Sequence, residues 1–249
     1  MTLVWLSVIS LSATSWETVE FQASDGLKVT ADLYRRSDNK LTPFIVLFHQ
    51  AGWSRGEYRD IAPRLNAMGF NCLAVDQRSG GEVNGVTNET ALRAKSKGLS
   101  ATYLDARKDM TAAIGYARKM YASGELLVWG SSYSAALVLH MIGVGDEKVD
   151  GVLSFSPGEY FVKLGKPRSY VAQAAQAIDR PVFLTSSKSE ARSVATIAKR
   201  MQKDKTVQFV PDTSGHHGSR ALWSNFKSSA SYWKALKAFL DTHFPRSGR

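Results

Sequence analysis

A serine in a short turn is the residue best suited by its surroundings to do chemistry. The turn reads Gly-Ser-Ser-Tyr-Ser over residues 130–134, between an apolar run typical of a strand and an apolar pattern typical of a helix. Such a strand–turn–helix arrangement strains the backbone and exposes its central serine at the carboxyl edge of a sheet. It needs small residues on both sides, and Gly130 and Ser134 supply them. We predict that Ser132 is a nucleophile and that the Tyr133 amide points to the same place.

A nucleophilic serine needs a base and an acid, and both residue types follow it in the chain. The hydroxyl is too weakly acidic to attack an acyl carbon alone, and histidine titrates in the range a base requires. A carboxylate then fixes the imidazole tautomer and stabilises the imidazolium. His216 and His217 follow the last predicted strand, whereas Glu190 and Glu159 each follow an earlier one. The residues alone leave both pairs of alternatives open.

The elements that must position these residues alternate between strand and helix. Continuous apolar runs predict strands buried on both faces of a parallel sheet, and an alternating pattern around Ser24-Asp25-Gly26 predicts an antiparallel hairpin. We therefore predict an α/β fold with a mostly parallel central sheet, helices on both faces and an N-terminal antiparallel hairpin. The segment from Glu159 to Asp179 is too short for a substantial cap domain. In such folds the chemistry collects at the carboxyl ends of the strands.

Three segments between the strands carry further predictions. The pattern indicates one helix from Glu57 to Met68, with Gly69 as its stop, and a long amphipathic helix from Ala101 to Tyr121. Between them, a polar loop is predicted to run to about Ser100.

Taken together, the motifs resemble the α/β-hydrolase superfamily over nearly the whole chain, from Trp16 to Phe244. Within it, the missing cap resembles the small dienelactone-hydrolase-like serine esterases. The resemblance rests on five motifs: His-Gln-Ala-Gly at 49–52, Asp-Gln-Arg-Ser-Gly-Gly at 76–81, the serine turn at 130–134, the segment 181–190, and His-Gly at 217–218. The order serine, acid, histidine is the one this fold uses.

The resemblance implies a triad of Ser132, Glu190 and His217, in which the histidine is the one followed by a glycine. His216 stays an alternative base, and Glu159 stays an alternative acid because some relatives place the acid after the preceding strand. The oxyanion donors implied are the Tyr133 amide and an amide of the 49–52 loop, that of Gln50.

Two departures from the family pattern limit what the resemblance carries over. Ser134 replaces the usual glycine at the end of the turn, which its small size allows. The nucleophile is serine, whereas dienelactone hydrolases proper use cysteine, so their substrate is not implied. His49 is expected to support the oxyanion loop, and Asp76 and Arg78 to brace loops.

The function predicted is hydrolysis of carboxylic esters through an acyl-enzyme, with no metal and no organic cofactor. An amidase or peptidase is the alternative among enzymes, because the same triad cleaves both bonds. A non-catalytic binding protein of the same fold is the alternative outside them. A nucleotide-binding domain is disfavoured because no Gly-x-Gly-x-x-Gly opens the first helix.

The composition of the chain limits the kinds of partner that it is expected to bind. The 249 residues carry a formal net charge of +10, but the basic residues are dispersed, so we expect no nucleic-acid partner. No stretch is long and apolar enough to span a bilayer, and the partner expected is a small-molecule ester. The single cysteine, Cys72, excludes an internal disulfide and says nothing of the compartment, and no oligomeric state is indicated.

The start of the chain carries the prediction on localisation. Residues 1–15 resemble a leader without its positive charges, which predicts a secreted or periplasmic protein, or a cytoplasmic one if they are not a leader. Residues 16–249 are predicted to form one domain.

Overall fold

A central sheet of eight strands organises the computed structural model, which describes residues 16–246. The strands lie in the order β1-β2-β4-β3-β7-β8-β9-β10, and β5 and β6 form a separate two-stranded ribbon. The bounds are β1 Glu17–Gln22, β2 Lys28–Tyr34, β3 Phe44–Phe48, β4 Asn71–Val75, β5 Glu82–Val83, β6 Val86–Thr87, β7 Leu126–Ser131, β8 Gly151–Phe155, β9 Val182–Thr185 and β10 Thr206–Phe209.

Only the N-terminal hairpin departs from parallel pairing in this sheet. β1 pairs antiparallel with β2, and β2 pairs antiparallel with β4. All pairs from β4 through β3, β7, β8 and β9 to β10 are parallel. The predicted fold class, a mostly parallel sheet with an antiparallel N-terminal hairpin, is confirmed. The carboxyl ends of β3, β7, β8 and β9 therefore meet along one edge.

Helices cover both faces of the sheet. They are α1 Ala62–Ala67, α2 Glu89–Ser96, α3 Ala106–Met120, α4 Tyr133–Gly143, α5 Tyr170–Ala175, α6 Ala191–Ala198 and α7 Ser229–His243. Alternate side chains of β3 enter two separate cores: Val46 packs with α3 and α4, whereas Ile45 packs with α1 and α7. This division is the reason β3 reads as an unbroken apolar run.

The helix predicted from Glu57 to Met68 is wrong as one element. The chain forms a 3-10 turn, Arg55–Tyr58, and only then enters α1. Pro63 lies in the first turn of α1, where its missing N–H costs nothing, but an α-helix running through it from Glu57 would lose a hydrogen bond and clash. The break leaves Glu57 fully buried in the 3-10 turn.

The predicted polar loop before Ser100 is also wrong in part. It contains the β5–β6 ribbon and α2, whose first turn is capped by the Asn88 side chain accepting a hydrogen bond from the Ala91 amide. The next helix, α3, begins at Ala106 rather than Ala101.

Between β8 and β9 the chain forms a 3-10 turn, Val162–Leu164, and the six-residue α5. This agrees with the prediction of no substantial cap domain. The predicted leader lies in residues 1–15, outside the described residues. Within the described part, no helix is long and apolar enough to cross a membrane.

Candidate active site

Ser132 occupies the turn between β7 and α4 in a strained backbone conformation. Its φ is 60° and its ψ is −118°, a region that residues other than glycine rarely adopt. Its amide donates to the Phe155 carbonyl at 2.8 Å, which fixes the turn against the end of β8. The side chain is half-buried at the carboxyl edge of the sheet, as the sequence predicted.

The residues around this turn explain the need for small side chains. A Cβ on Gly130 would lie 2.4 Å from the Ala135 amide nitrogen, so no other residue fits there. Ser134 has a role that a glycine could not fill: its hydroxyl accepts from the Ser131 amide at 2.8 Å and donates to the Phe48 carbonyl at 2.7 Å. The departure from the family pattern therefore stabilises the turn.

Glu190 and His217 are brought together, although 27 positions separate them in the chain. The Nδ1 of His217 forms a short hydrogen bond with Oε1 of Glu190. The other carboxylate oxygen accepts from the Ser187 hydroxyl at 2.6 Å and from the Ser187 amide at 3.1 Å. Burial alone would raise the pKa of Glu190, but the hydrogen bonds from His217 and Ser187 outweigh it and lower this pKa to about 2. An ionised carboxylate keeps the proton on Nδ1 and leaves Nε2 of His217 as an acceptor.

Ser156, at the end of β8, ties the acid to the loop that carries the histidine. Its hydroxyl donates to Glu190 at 3.0 Å and accepts from the Gly218 amide at 2.9 Å. Its own φ is 57°, so a second strained residue lies one strand away from Ser132. The strain places a hydroxyl where an extended strand would not.

The two alternative residues are engaged elsewhere. The Glu159 carboxylate accepts from the Val171 and Ala172 amides, each at 2.9 Å, and so caps the N-terminus of α5. The His216 ring stacks on Phe226 with 3.6 Å between centroids. Partial burial and the neighbouring Arg220 lower the pKa of His216. The geometry therefore favours Glu190 over Glu159 and His217 over His216.

Of the two predicted oxyanion donors, the Gln50 amide does not fit the geometry. It already donates to Oε2 of Glu57 at 2.8 Å, so it has no hydrogen to offer a ligand. The next amide in the loop, that of Ala51, donates to no group of the described residues. The Tyr133 amide, at the first position of α4, is equally unengaged there.

His49 holds this loop, as predicted. Its Nε2 accepts from the Gln77 amide at 2.9 Å, so Nδ1 carries the proton and donates to the Gln50 carbonyl at 2.7 Å. Complete burial lowers the pKa of His49 to about 4 and keeps the ring neutral. Because a trans peptide directs its N–H opposite to its carbonyl, fixing the Gln50 carbonyl also fixes the direction of the Ala51 amide.

The Tyr160 phenol donates to the Ser156 carbonyl at 2.8 Å. Burial, with the charge of Glu190 adding to it, raises the pKa of Tyr160 to about 12, against a lowering effect of Ser132. Within the described residues, no hydrogen bond joins Ser132 to His217. That contact is commonly long in unliganded enzymes and tightens when substrate is bound. The loop that carries His217 nonetheless lies against the serine turn, because Ser219 donates its amide to the Ser131 hydroxyl at 2.9 Å.

The predicted bracing charges are both buried ion-pair partners. Asp76 binds the Arg55 guanidinium at 2.6 Å, and Arg78 binds Asp109 at 2.8 Å and Asp25 at 2.7 Å. They hold the loop after β4 to its neighbours.

Sequence reasoning missed Ser156, Ser187, Ala51 and Glu57. Ser156 immediately follows β8, and Ser187 lies two residues beyond the end of β9. Their position at the carboxyl ends of parallel strands is the sequence signal that could have identified them. No sequence signal marks Glu57, because the turn that buries it reads as the start of a helix.

The described residues hold no group of three or more His, Cys, Asp or Glu side chains arranged to bind a metal ion. A cleft of about 1050 Å³ is lined by residues that include Pro43, Gly69 and Glu125. It lies at the amino ends of β3, β4 and β7, opposite the serine turn, and none of the candidate site residues lines it.

Comparisons with known proteins identify the family and the fold. The family model described as serine aminopeptidase, S33, matches residues 40–182. The quorum-quenching protein AidA of Acinetobacter baumannii is 31% identical over 145 residues, which are 56% of this chain and 43% of that protein. The chain therefore spans less than half the length of this curated relative.

Among solved structures, similarity extends over almost the whole chain. The Pyrococcus furiosus esterase Pf2001 has a TM-score of 0.71 at 19% identity, covering 97% of each chain. A thermostable carboxyl esterase from Bacillus coagulans has a TM-score of 0.69 at 12% identity, covering 93% of this chain and 99% of that one. The dienelactone hydrolase from Anabaena variabilis has a TM-score of 0.66 at 15% identity, covering 92% and 98%. These likenesses establish the α/β-hydrolase fold.

Proposed function

Since the chain belongs to the serine aminopeptidase S33 family of hydrolases, we propose that it is a serine hydrolase that cleaves carboxylic esters with Ser132, His217 and Glu190. The observation that carries the proposal is the Glu190–His217 hydrogen bond beside the strained serine turn. If Ser132 only capped a helix, or if His217 were only a buried core residue, neither role would require a strained serine turn beside a histidine that is hydrogen-bonded to an ionised carboxylate. The ordered polar contacts around all three residues argue against a binding protein that has lost its chemistry.

The acylation step follows from the roles of these groups. The Ser132 Oγ attacks the acyl carbon while Nε2 of His217 takes its proton, which gives a tetrahedral oxyanion and an imidazolium. The Tyr133 and Ala51 amides are the proposed donors to the oxyanion, and Glu190 stabilises the imidazolium. The intermediate then collapses, the carbon–oxygen bond to the alcohol breaks, and the imidazolium gives its proton to the departing alcohol.

Deacylation repeats the sequence with water as the nucleophile. His217 takes a proton from the water as it attacks the acyl-enzyme, and returns the proton to Ser132 Oγ when the acid leaves. Because the chain between β8 and β9 forms only a 3-10 turn and one short α-helix, we expect an open site. Small or extended esters fit such a site better than aggregated lipid.

Labelling with a fluorophosphonate tests the nucleophile without knowledge of the natural substrate. We expect one labelled peptide, containing Ser132, and loss of labelling in Ser132→Ala. A panel of p-nitrophenyl esters of increasing acyl length then measures the acyl preference. Labelling of Ser131 or Ser134 instead, or full ester hydrolysis by Ser132→Ala, contradicts the assignment.

A second candidate is amide or peptide hydrolysis, which the description of the family as serine aminopeptidases favours. Aminoacyl p-nitroanilides added to the same panel distinguish the two activities. Esters are favoured if kcat/KM for the best ester exceeds that for the best anilide by more than their difference in chemical reactivity.

A further inference from the structure

Glu57 is a fully buried carboxylate beneath the proposed site, and none of the steps above uses it. It lies in the 3-10 turn Arg55–Tyr58, between the oxyanion loop and the loop that carries His217. The indole of Trp223, beyond His217, donates to its backbone carbonyl at 2.9 Å. A buried carboxylate is costly unless it is hydrogen-bonded, so its partners indicate what it is for.

Each carboxylate oxygen of Glu57 binds a different part of the site. Oε2 accepts from the Gln50 amide at 2.8 Å, in the peptide that precedes the free Ala51 amide. Oε1 accepts from the Ser131 hydroxyl at 2.7 Å, one residue before the nucleophile. That hydroxyl in turn accepts from the Ser219 amide at 2.9 Å, two residues after His217. One carboxylate thus connects the oxyanion loop, the serine turn and the loop of the base.

We propose that ionised Glu57 is a positioning residue of this hydrolase, fixing the Ala51 amide and the His217 loop around Ser132 through the Gln50 amide and the Ser131 hydroxyl. The inference rests on the proposed function, since it assigns these elements the roles given above. It adds a second carboxylate to the machinery, one that never touches the substrate.

The hydrogen-bond pattern favours the ionised form. Each partner points a hydrogen at one carboxylate oxygen, the Gln50 amide at Oε2 and the Ser131 hydroxyl at Oε1. A proton on Oε2 that faces the Gln50 N–H would set donor against donor. A proton on Oε1 that faces Ser131 would force the hydroxyl to turn its own hydrogen away. Protonation at either place therefore removes or reverses one of the two hydrogen bonds that the ionised carboxylate accepts.

Burial, rather than a charged partner, dominates the ionisation of Glu57. Complete burial raises the pKa of Glu57 to about 7, against the lowering effect of Ser131, Gln50 and the charge of His217. The charged and titratable groups around it are His217 from the base loop, Tyr58 on its own turn, and Arg55, which is turned away toward Asp32 and Asp76. No cation of the described residues forms an ion pair with Glu57 itself.

The slope of the pH–rate profile tests this role, because a merely structural residue would not change it. Activity would need two groups deprotonated, the base and Glu57, so log kcat/KM for an activated ester should fall toward acid with a limiting slope of about 2. In Glu57→Gln the second ionisation is gone, and the slope should be about 1. The plateau kcat should fall roughly 10- to 10²-fold with KM nearly unchanged, since the oxyanion donor is displaced rather than removed.

Two further variants keep the test decisive. Ser131→Ala keeps the Glu57 carboxylate but removes its donor, so the slope of about 2 should persist and the acid limb should move to higher pH. Glu125→Gln, at the amino end of β7, is the matched control and should reproduce the wild-type profile. If Glu57→Gln does not fold, the wild-type slope and the Ser131→Ala shift decide the matter.

The outcomes separate the two proposals. A wild type that is labelled at Ser132 by a fluorophosphonate but shows a slope of about 1 overturns the role of Glu57 and leaves the serine hydrolase standing. A slope of about 2 that persists in folded Glu57→Gln does the same. A wild type that is neither labelled at Ser132 nor active on esters overturns both.

Discussion

Two glutamates at the same sheet edge have opposite electrostatic surroundings. The Glu190 side chain is 28% exposed, its pKa is lowered to about 2, and it binds His217 directly. Glu57 is 0% exposed, and its pKa is raised to about 7. Each accepts hydrogen bonds from a backbone amide and a serine hydroxyl, so the residue type and the kinds of donor do not explain the difference.

What differs is the balance between burial and charge. Glu190 faces an imidazole that can carry a positive charge in direct contact, and a third donor, Ser156, joins Ser187. Glu57 has two donors, both formally neutral, and complete burial. The comparison shows how one fold can keep one carboxylate charged at all working pH values and leave another close to its midpoint.

The largest loss of activity is expected for substitutions at Ser132 and His217, the two residues that Glu190 and Glu57 are proposed to support. Ser132→Ala and His217→Ala should each lower kcat by on the order of 10⁶-fold, because the nucleophile and base act as a unit. Their unfolding temperatures should stay close to that of the wild type. Steady-state hydrolysis of an activated ester and thermal unfolding measure both quantities. If either variant kept activity within about 10-fold of wild type, that residue would not be the nucleophile or the base, and the roles proposed for the two glutamates would fail with it.

Next in size is the loss of the exposed glutamate. Glu190→Gln should lower kcat roughly 10²- to 10⁴-fold with KM nearly unchanged, because the imidazolium loses its partner only as it forms. Glu159→Gln is the matched control, a glutamate of the same site edge that caps α5 instead. Its kcat should stay within about 3-fold of wild type. The reverse ranking would place the acid at Glu159.

The two glutamates should contribute to the free energy of unfolding in different pH ranges. Glu57 has a raised pKa, so the stability it contributes is fully present below about pH 4.5 and is lost as pH rises to about 7, by at most on the order of 3 kcal/mol. Glu190 has a lowered pKa, so its contribution is present above about pH 4.5 and is lost as pH falls toward 2. Urea unfolding of Glu57→Gln and Glu190→Gln against wild type across this range should give differences of opposite slope. Parallel curves would refute the contrast.

The smallest effect expected is at the second histidine. His216→Ala should lower kcat no more than about 5-fold, because the ring stacks on Phe226 and bonds neither glutamate. A loss equal to that of His217→Ala in the same ester assay would move the base to His216.

Sequence patterns predicted most of the fold and the identity of the proposed triad. Buried parallel strands such as β4 and β8 could be predicted because they are unbroken apolar runs ended by polar turns. Ser132 was predictable because its turn demands small neighbours, which the sequence displays.

What the sequence could not predict depends on contacts between distant residues. The sequence indicates Gln50 as an oxyanion donor, because nothing local reveals that Glu57, seven positions on, occupies its amide. Glu57 itself was placed in a helix, where a glutamate ordinarily faces solvent, and its burial is visible only once Ser131 lies beside it. The choice between His216 and His217 likewise depends on which ring reaches Glu190.

The left-handed backbone of Ser132 and Ser156 has a consequence for anyone engineering this protein. Glycine at either position would relieve a conformation that costs roughly 1–2 kcal/mol in other residues. At Ser156 it would also delete the hydroxyl between Glu190 and Gly218, and at Ser132 it would delete the proposed nucleophile. Methods that rank substitutions by backbone strain alone will therefore select glycine at these two positions, and the protein with the relaxed backbone will be the less active one.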